Sequence, residues 1–181
     1  MGSLAGTLRS SLRIRRLLVP AVLAAATVLP GYAVAKGRQK EFKSPDGKFV
    51  AVVAPADKKR SFEERESRIL ILRGGGTQIS MHVFSSKDGE HGYGFGGAQW
   101  TPDSQYFVCR MSSSGGHSPL YAPVVFWSRK TNHFYQLKAY TADRTFSIVA
   151  PDRIKMDSWP GLQPVTVKLS SVKEGEVTEL R

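Results

Sequence analysis

Four histidines, His82, His91, His117 and His133, are the first groups to weigh for acid–base or metal chemistry. They are separated by 9, 26 and 16 residues, which fits no compact metal-ligand pattern. His82 lies in Gln78-Ile79-Ser80-Met81-His82-Val83, where strict alternation puts it on the polar, solvent-facing side of a strand. His133 follows a hairpin turn and reads the same way. His91 is different, because it sits in Gly89-Glu90-His91-Gly92-Tyr93-Gly94-Phe95-Gly96-Gly97. Glycine allows unusual backbone angles and close approach, either of a ligand or of a neighbouring strand. The strand-then-helix setting of a dinucleotide fingerprint is missing here, so no cofactor is expected. A structural loop is the leading reading. Tyr93 and Phe95 are candidate contacts for carbohydrate or peptide.

A second polar cluster is Ser112-Ser113-Ser114-Gly115-Gly116-His117-Ser118-Pro119. Hydroxyls beside an imidazole invite a hydrolase reading. A catalytic serine, however, needs a base, an orienting group and an oxyanion hole, and adjacency in sequence supplies none of these. The Gly-x-Ser-x-Gly elbow is also missing. The candidate ligand or partner contacts are therefore His91, Tyr93, Phe95, Ser114 and His117, with no catalytic, cofactor-binding or metal-binding residue assigned. Cys109, between Val108 and Arg110, reads as a buried thiol acting as a small hydrophobe. Trp100, Trp127 and Trp159, with Phe107 and Phe126, read as sheet-packing residues.

These groups must be held by a scaffold, and composition says which kind. The chain has 181 residues, 41% of them hydrophobic and 23% charged. That excludes a disordered chain, a collagen-like chain and a polytopic membrane protein. Seventeen Gly and ten Pro, among many Val, Phe and Tyr, favour turns and strands. A single Cys excludes an internal disulfide framework and a Cys-rich zinc site.

Residues 1–35 contain Arg9, Arg13, Arg15 and Arg16 and no acidic residue. The apolar run Leu17 to Leu29 follows, then Pro30-Gly31 and Ala33-Val34-Ala35. This is the three-part pattern of a secretory signal, with cleavage expected after Ala35. The run of 13 residues is shorter than the roughly 20 a membrane-spanning helix needs, so no stable membrane span is expected. Arg15-Arg16 is a weak twin-arginine feature, and ordinary Sec export is favoured over it. The sole cysteine is far from the cleavage point, which excludes a lipid anchor there. A periplasmic or secreted, bacterially exported protein is expected, with one domain at 36–181.

Lys and Arg number 26 against 15 acidic residues, a net charge of +11. Removing the four leader arginines leaves 22 minus 15, or +7, over 146 residues. A basic surface is drawn to anionic ones. Outside the cytoplasm that means an anionic cell-wall component, lipid head groups or an acidic envelope protein. No nucleic acid is expected, for want of a recognition motif and because of the compartment.

An internal similarity organises the rest. Ser44-Pro45-Asp46-Gly47-Lys48-Phe49-Val50-Ala51-Val52 matches Thr101-Pro102-Asp103-Ser104-Gln105-Tyr106-Phe107-Val108-Cys109, 57 residues on. Each reads as a tight turn feeding a strand, with Pro fixing one backbone angle and Asp bonding nearby amides. Ala150-Pro151-Asp152-Arg153 reads as a degenerate third copy. Three strand-turn-strand hairpins follow these turns: 69–81, 124–137 and 165–180. Between the first turn and the first hairpin, Asp57 to Glu66 is dense in both charges and reads as a solvated loop or a helical turn pairing Glu64 with Arg68, in preference to a docking loop.

Pro-Asp turn, strand, loop and hairpin together resemble a blade of a β-propeller, of the type in the periplasmic Tol-system protein and the propeller domains of prolyl peptidases. The resemblance covers about residues 41–181. It implies an all-β protein of antiparallel sheets. No catalytic residue is implied, because the catalytic domain of the peptidases has no counterpart here. A closed propeller needs four or more blades. Two units and a shortened third must form an open or sandwich-like arrangement, whose edges need cover. Self-association into a homo-oligomer, or binding of a partner, is the expectation that follows. The leading function is a non-enzymatic interaction module of the cell envelope. The alternative is a small hydrolase or ligand-binding protein using the loops around His91 and His117.

Overall fold

Two turns set the strand register. In the first, the Ser44 hydroxyl donates to Asp46 Oδ1 (2.8 Å) and accepts from the Phe49 amide (3.0 Å). The Lys48 amide donates to the same carboxylate oxygen (3.1 Å). In the second, Thr101 Oγ1 donates to Asp103 Oδ1 (2.6 Å) and accepts from the Tyr106 amide (3.0 Å), while the Gln105 amide donates to Asp103 (3.1 Å). Both turns need one left-handed residue, Gly47 at φ 68° and Ser104 at φ 59°. Ser104 takes that angle with a side chain, and the side chain is used: its Oγ accepts from the Asp46 amide at 3.0 Å, joining the two turns.

The computed structural model describes residues 39–57, 66–89, 91–114, 123–140, 145–156 and 163–180, all within the unit Ala33–Arg181. Residues 1–35, expected to be a secretory signal, lie outside the described residues, as do Glu64, Glu90, His117 and Trp159. Strands β1 (Lys40–Lys43), β2 (Phe49–Pro55), β3 (Ser67–Arg73) and β4 (Thr77–Val83) form the first sheet in that order. Strands β5 (Tyr93–Trp100), β6 (Tyr106–Ser113), β7 (Pro123–Ser128) and β8 (His133–Tyr140) form the second, joined at its β8 edge by β12 (Val177–Leu180). The third contains β9 (Phe146–Ala150), β10 (Arg153–Met156) and β11 (Val165–Lys168), with β10 central. Every pairing is antiparallel, and none of the three sheets closes on itself. The protein is all-β, in an open, sandwich-like arrangement.

Two apolar cores stack the sheets. Phe49, Ala51, Val53, Ile69 and Ile71 of the first sheet meet Trp100, Phe107, Cys109, Met111, Trp127 and Phe134 of the second. The opposite face of the second sheet offers Val108, Val124, Phe126 and Leu137 to Ile154 and Met156 of the third, and to Leu169. The middle sheet is thus covered on both sides. That explains why all six residues of β7 are buried and why Pro-Val-Val-Phe-Trp-Ser shows no alternation. Aromatic packing is dense in the first core, where the Trp127 ring lies 5.6 Å from Phe49 and 5.9 Å from Trp100. Burying each such side chain contributes on the order of 1.5–3 kcal/mol.

The structure departs from the sequence expectations at three places. The run 165–180 does not form a hairpin: β11 pairs with β10, whereas β12 pairs with β8. Short 3-10 turns at Leu169–Ser171 and Glu174–Glu176 carry the chain between sheets, with Leu169 buried in the second core and its amide donating to Asp152 O (2.7 Å). Alternation marks a strand but does not name its neighbour. Arg68 belongs to β3 and is 7% exposed, so it does not lie on a helical turn; Glu64, its expected partner, is outside the described residues. His82 faces inward. A bulge opposite Ile71/Leu72 inserts one residue, so Ser80 and His82 align with the core residues Ile71 and Ile69. Met81 and Val83 turn outward instead, 43% and 40% exposed.

Candidate functional site

The loop carrying His91 is pinned from below by one carboxylate. Glu66 precedes β3 and is 5% exposed. Its Oε1 accepts from the Ser86 amide (2.9 Å), the Ser86 hydroxyl (2.5 Å) and the Gly92 amide (2.7 Å). Gly92 has to be glycine for this: an added Cβ would overlap Glu66 Oε1 and the Phe84 carbonyl oxygen. The close approach that the Gly-rich segment permits is therefore to a neighbouring carboxylate. Gly96 serves a similar end. It occupies a bulge in β5, its carbonyl accepts from Arg110 Nη2 (2.6 Å), and a Cβ there would sit 2.7 Å from the guanidinium.

His91 is exposed, and its Nδ1 lies 2.5 Å from Asp88 Oδ2. Its amide donates to Ser86 Oγ (3.0 Å) and Asp88 Oδ1 (3.2 Å). Tyr93 and Phe95 are half-buried and pack against the first core; Phe95 sits 5.9 Å from Phe42 and under the Lys40 ammonium at 5.1 Å. Ser114 is tied to Gly92 O through both its amide (3.1 Å) and its hydroxyl (2.9 Å). The fold thus brings His91, Gly92, Tyr93 and Ser114 to one end of the β5–β6 pair, and turns the two aromatics toward the interior. Glu66 escapes sequence reading, because it closes a run of mixed charge that looks solvated.

Next to this loop is a cavity of about 310 Å³ lined by Asp57, Glu66, Ser86 and Asp88, among others. Serine, aspartate and histidine are close here, but their connections are not those of a nucleophile. Ser86 Oγ lies at hydrogen-bond distance from two carboxylates, Glu66 and Asp88 (2.7 Å), while the imidazole is paired with Asp88 through Nδ1. Among the described residues no three His, Cys, Asp or Glu side chains are grouped to hold a metal ion.

Two other clefts are cationic. One, of about 510 Å³, lies where three turns meet and is lined by Lys48, Arg73, Arg129 and Asn132 with Gly47 and Gly74. Arg129 Nη1 bonds Asp46 Oδ2 at 2.8 Å, and its guanidinium lies 4.6 Å from the centre of the Phe49 ring. Hydrogen bonds from Ser44 and the Lys48 amide, together with Arg129, hold the Asp46 carboxyl down at about 2, so it is ionised at neutral pH. The other cleft, about 570 Å³, lies between β8, β11 and the Glu174–Glu176 turn. Lys138, Lys168 and Lys173 line it over Leu137 and Val167. Its one acid, Glu176, is turned to its own backbone, accepting from the Lys173 amide at 2.9 Å.

The remaining groups are structural. Cys109 is fully buried, and burial pushes its thiol far above the ordinary range. His133 Nδ1 sits 3.2 Å from Glu179 Oε1, linking β8 to β12. No helix among the described residues is long and apolar enough to cross a membrane. Comparison with models of known families, with curated proteins and with solved structures finds no match.

Proposed function

We propose that this chain is an exported, non-enzymatic interaction module of the cell envelope. It is built from blade-like repeats and recognises an anionic component of the cell wall or an acidic envelope protein. The observation that carries the reading is the pair of clefts lined by Lys48, Arg73 and Arg129 and by Lys138, Lys168 and Lys173. In the first, Asp46 offsets only Arg129, and in the second Glu176 and Asp152, 3.9 Å from Lys168, offset two of the three lysines, so each cleft keeps a positive excess for an outside anion. The repeat reading is supported by the matched hydrogen bonds of the two Pro-Asp turns and by the face-to-face stacking of three sheets. The deciding experiment is cosedimentation with insoluble anionic cell-wall material across a salt series. Binding that weakens as salt rises is expected. No binding at low salt, or binding indifferent to salt, overturns the reading.

A second reading, a small hydrolase or ligand-binding protein using the loops around His91 and His117, is favoured by one feature: the cavity that adjoins the Asp88–His91 pair. It requires a turnover that disappears in His91→Ala.

A further inference from the structure

We propose that the cleft between Lys48, Arg73, Arg129 and Asn132 is a binding site for a phosphate group. The proposal rests on the anionic-partner reading and gives it a location and a ligand chemistry.

Three separate turns bring the cations together. The Pro-Asp turn before β2 supplies Lys48, the last residue of β3 ahead of the β3–β4 turn is Arg73, and the β7–β8 turn supplies Arg129 and Asn132. Gathering three like charges is unfavourable unless an opposite charge offsets them. The acid at hand is Asp46, and its carboxylate is already occupied: Oδ1 by Ser44 and the Lys48 amide, Oδ2 by Arg129. Three cations less one carboxylate leaves two positive charges facing the cleft. Lys48 and Arg73 form no ion pair among the described residues. A phosphate carries about −1.5 to −2 at neutral pH, which matches that excess.

The geometry is prepared as well as the charge. Arg129 is held by Asp46 and by the Phe49 face, so little side-chain freedom remains to be lost on binding. A guanidinium has five N–H donors, and the Asp46 bond uses one. Arg73 adds a second guanidinium, the group best shaped to bond two oxygens of a phosphate at once. Lys48 adds a mobile point charge and Asn132 an amide. Gly47, Gly75 and Gly76, around the same turns, have open space where a side chain would stand, which leaves the mouth clear. The volume of about 510 Å³ exceeds a bare phosphate and falls in the range small ligands occupy, so the group bound is expected to be part of a larger phosphate-bearing molecule.

The test is titration of the full chain with inorganic phosphate at low ionic strength, followed by calorimetry and by amide NMR shifts. Saturable binding is expected, with shifts centred on Gly47, Lys48, Gly74 and Arg129. Arg73→Ala and Lys48→Ala change exposed side chains and should fold as the parent does. Each is expected to weaken binding about tenfold or more. Lys155→Ala, at an exposed position of β10 outside both clefts, should leave phosphate binding unchanged. Vesicles of phosphatidylcholine with and without phosphatidic acid, which presents a phosphate monoester, form the second arm. Binding to the charged vesicles that is lost in Arg73→Ala, without binding of free phosphate, identifies the phosphate as a lipid head group. Absence of saturable binding in both arms overturns the site, as does affinity that survives both substitutions. If cell-wall material still binds and only a variant carrying Lys138→Ala and Lys173→Ala, in the other cleft, loses it, this site falls and the anionic-partner reading stands. If neither phosphate nor cell-wall material binds, both fall.

Discussion

The carboxylate beneath the His91 loop gives the sharpest test of the structure. Glu66→Ala removes the acceptor of three hydrogen bonds at a side chain only 5% exposed. The three donors are not equally affected. The Ser86 hydroxyl keeps Asp88 Oδ1 at 2.7 Å, and the Ser86 amide is only part-buried and can turn to water. The Gly92 amide is buried and has no such recourse. A buried donor left unsatisfied costs about 1–3 kcal/mol, and a bond to a charged group is worth about 1.5–3 kcal/mol. Relief from burying the carboxylate offsets part of this, so a loss of about 2–3 kcal/mol is expected. Gly92→Ala attacks the same contact from the other side, placing a methyl against Glu66 Oε1 and the Phe84 carbonyl, at about 1–3 kcal/mol for overpacking. In the double variant the methyl no longer meets the carboxylate but still meets Phe84. The combined loss should therefore fall short of the sum by about 1 kcal/mol. Urea unfolding of the four proteins measures all three quantities. A Glu66→Ala loss below about 0.5 kcal/mol, or strict additivity, would refute the clamp.

Two further outcomes follow from burial. The His82 imidazole packs 4.6 Å from Phe84, and burial holds its pKa below the ordinary 6.5. The unfolded chain therefore takes up the proton first: this contribution to stability is complete above pH 6.5 and is lost as pH falls below that value. His82→Phe should flatten the stability profile between pH 6.5 and the lower folded value, and identical profiles in denaturant melts would contradict the inward orientation. Cys109, with its thiol pushed up by burial, should resist a thiol-reactive disulfide dye at pH 8 and react at once in urea; prompt labelling of the native protein would contradict its place in the core.

Much of the architecture was legible in one dimension because it rests on local chemistry. A hydroxyl residue, Pro, Asp and a small residue specify a turn within six positions, and both such turns form the bonds their residues allow. The apolar runs around Val52, Ile69, Val108 and Phe126 become strands for the same local reason. Reading failed where the outcome depends on a partner strand. The inward turn of His82 comes from a bulge against β3, which no count of alternating residues reveals. Val177 to Leu180 reads as the return of a hairpin, yet β8 offered an open edge and took it.

The candidate site divides along the same line. Sequence placed glycines, aromatics and His91 in one segment, and there they are. The buried clamp that explains Gly92 comes from Glu66, 26 residues away in sequence. The cationic cleft draws Lys48, Arg73 and Arg129 from positions spread over 81 residues, with nothing in their spacing to mark them. What the chain determined by itself was the identity of its turns and strands, the all-β class and its surplus of positive charge, since these follow from single residues and their near neighbours. Which strands pair, which faces are covered and which charges converge were decided only by tertiary packing, because hydrogen bonding and burial act across space, without regard to distance along the chain.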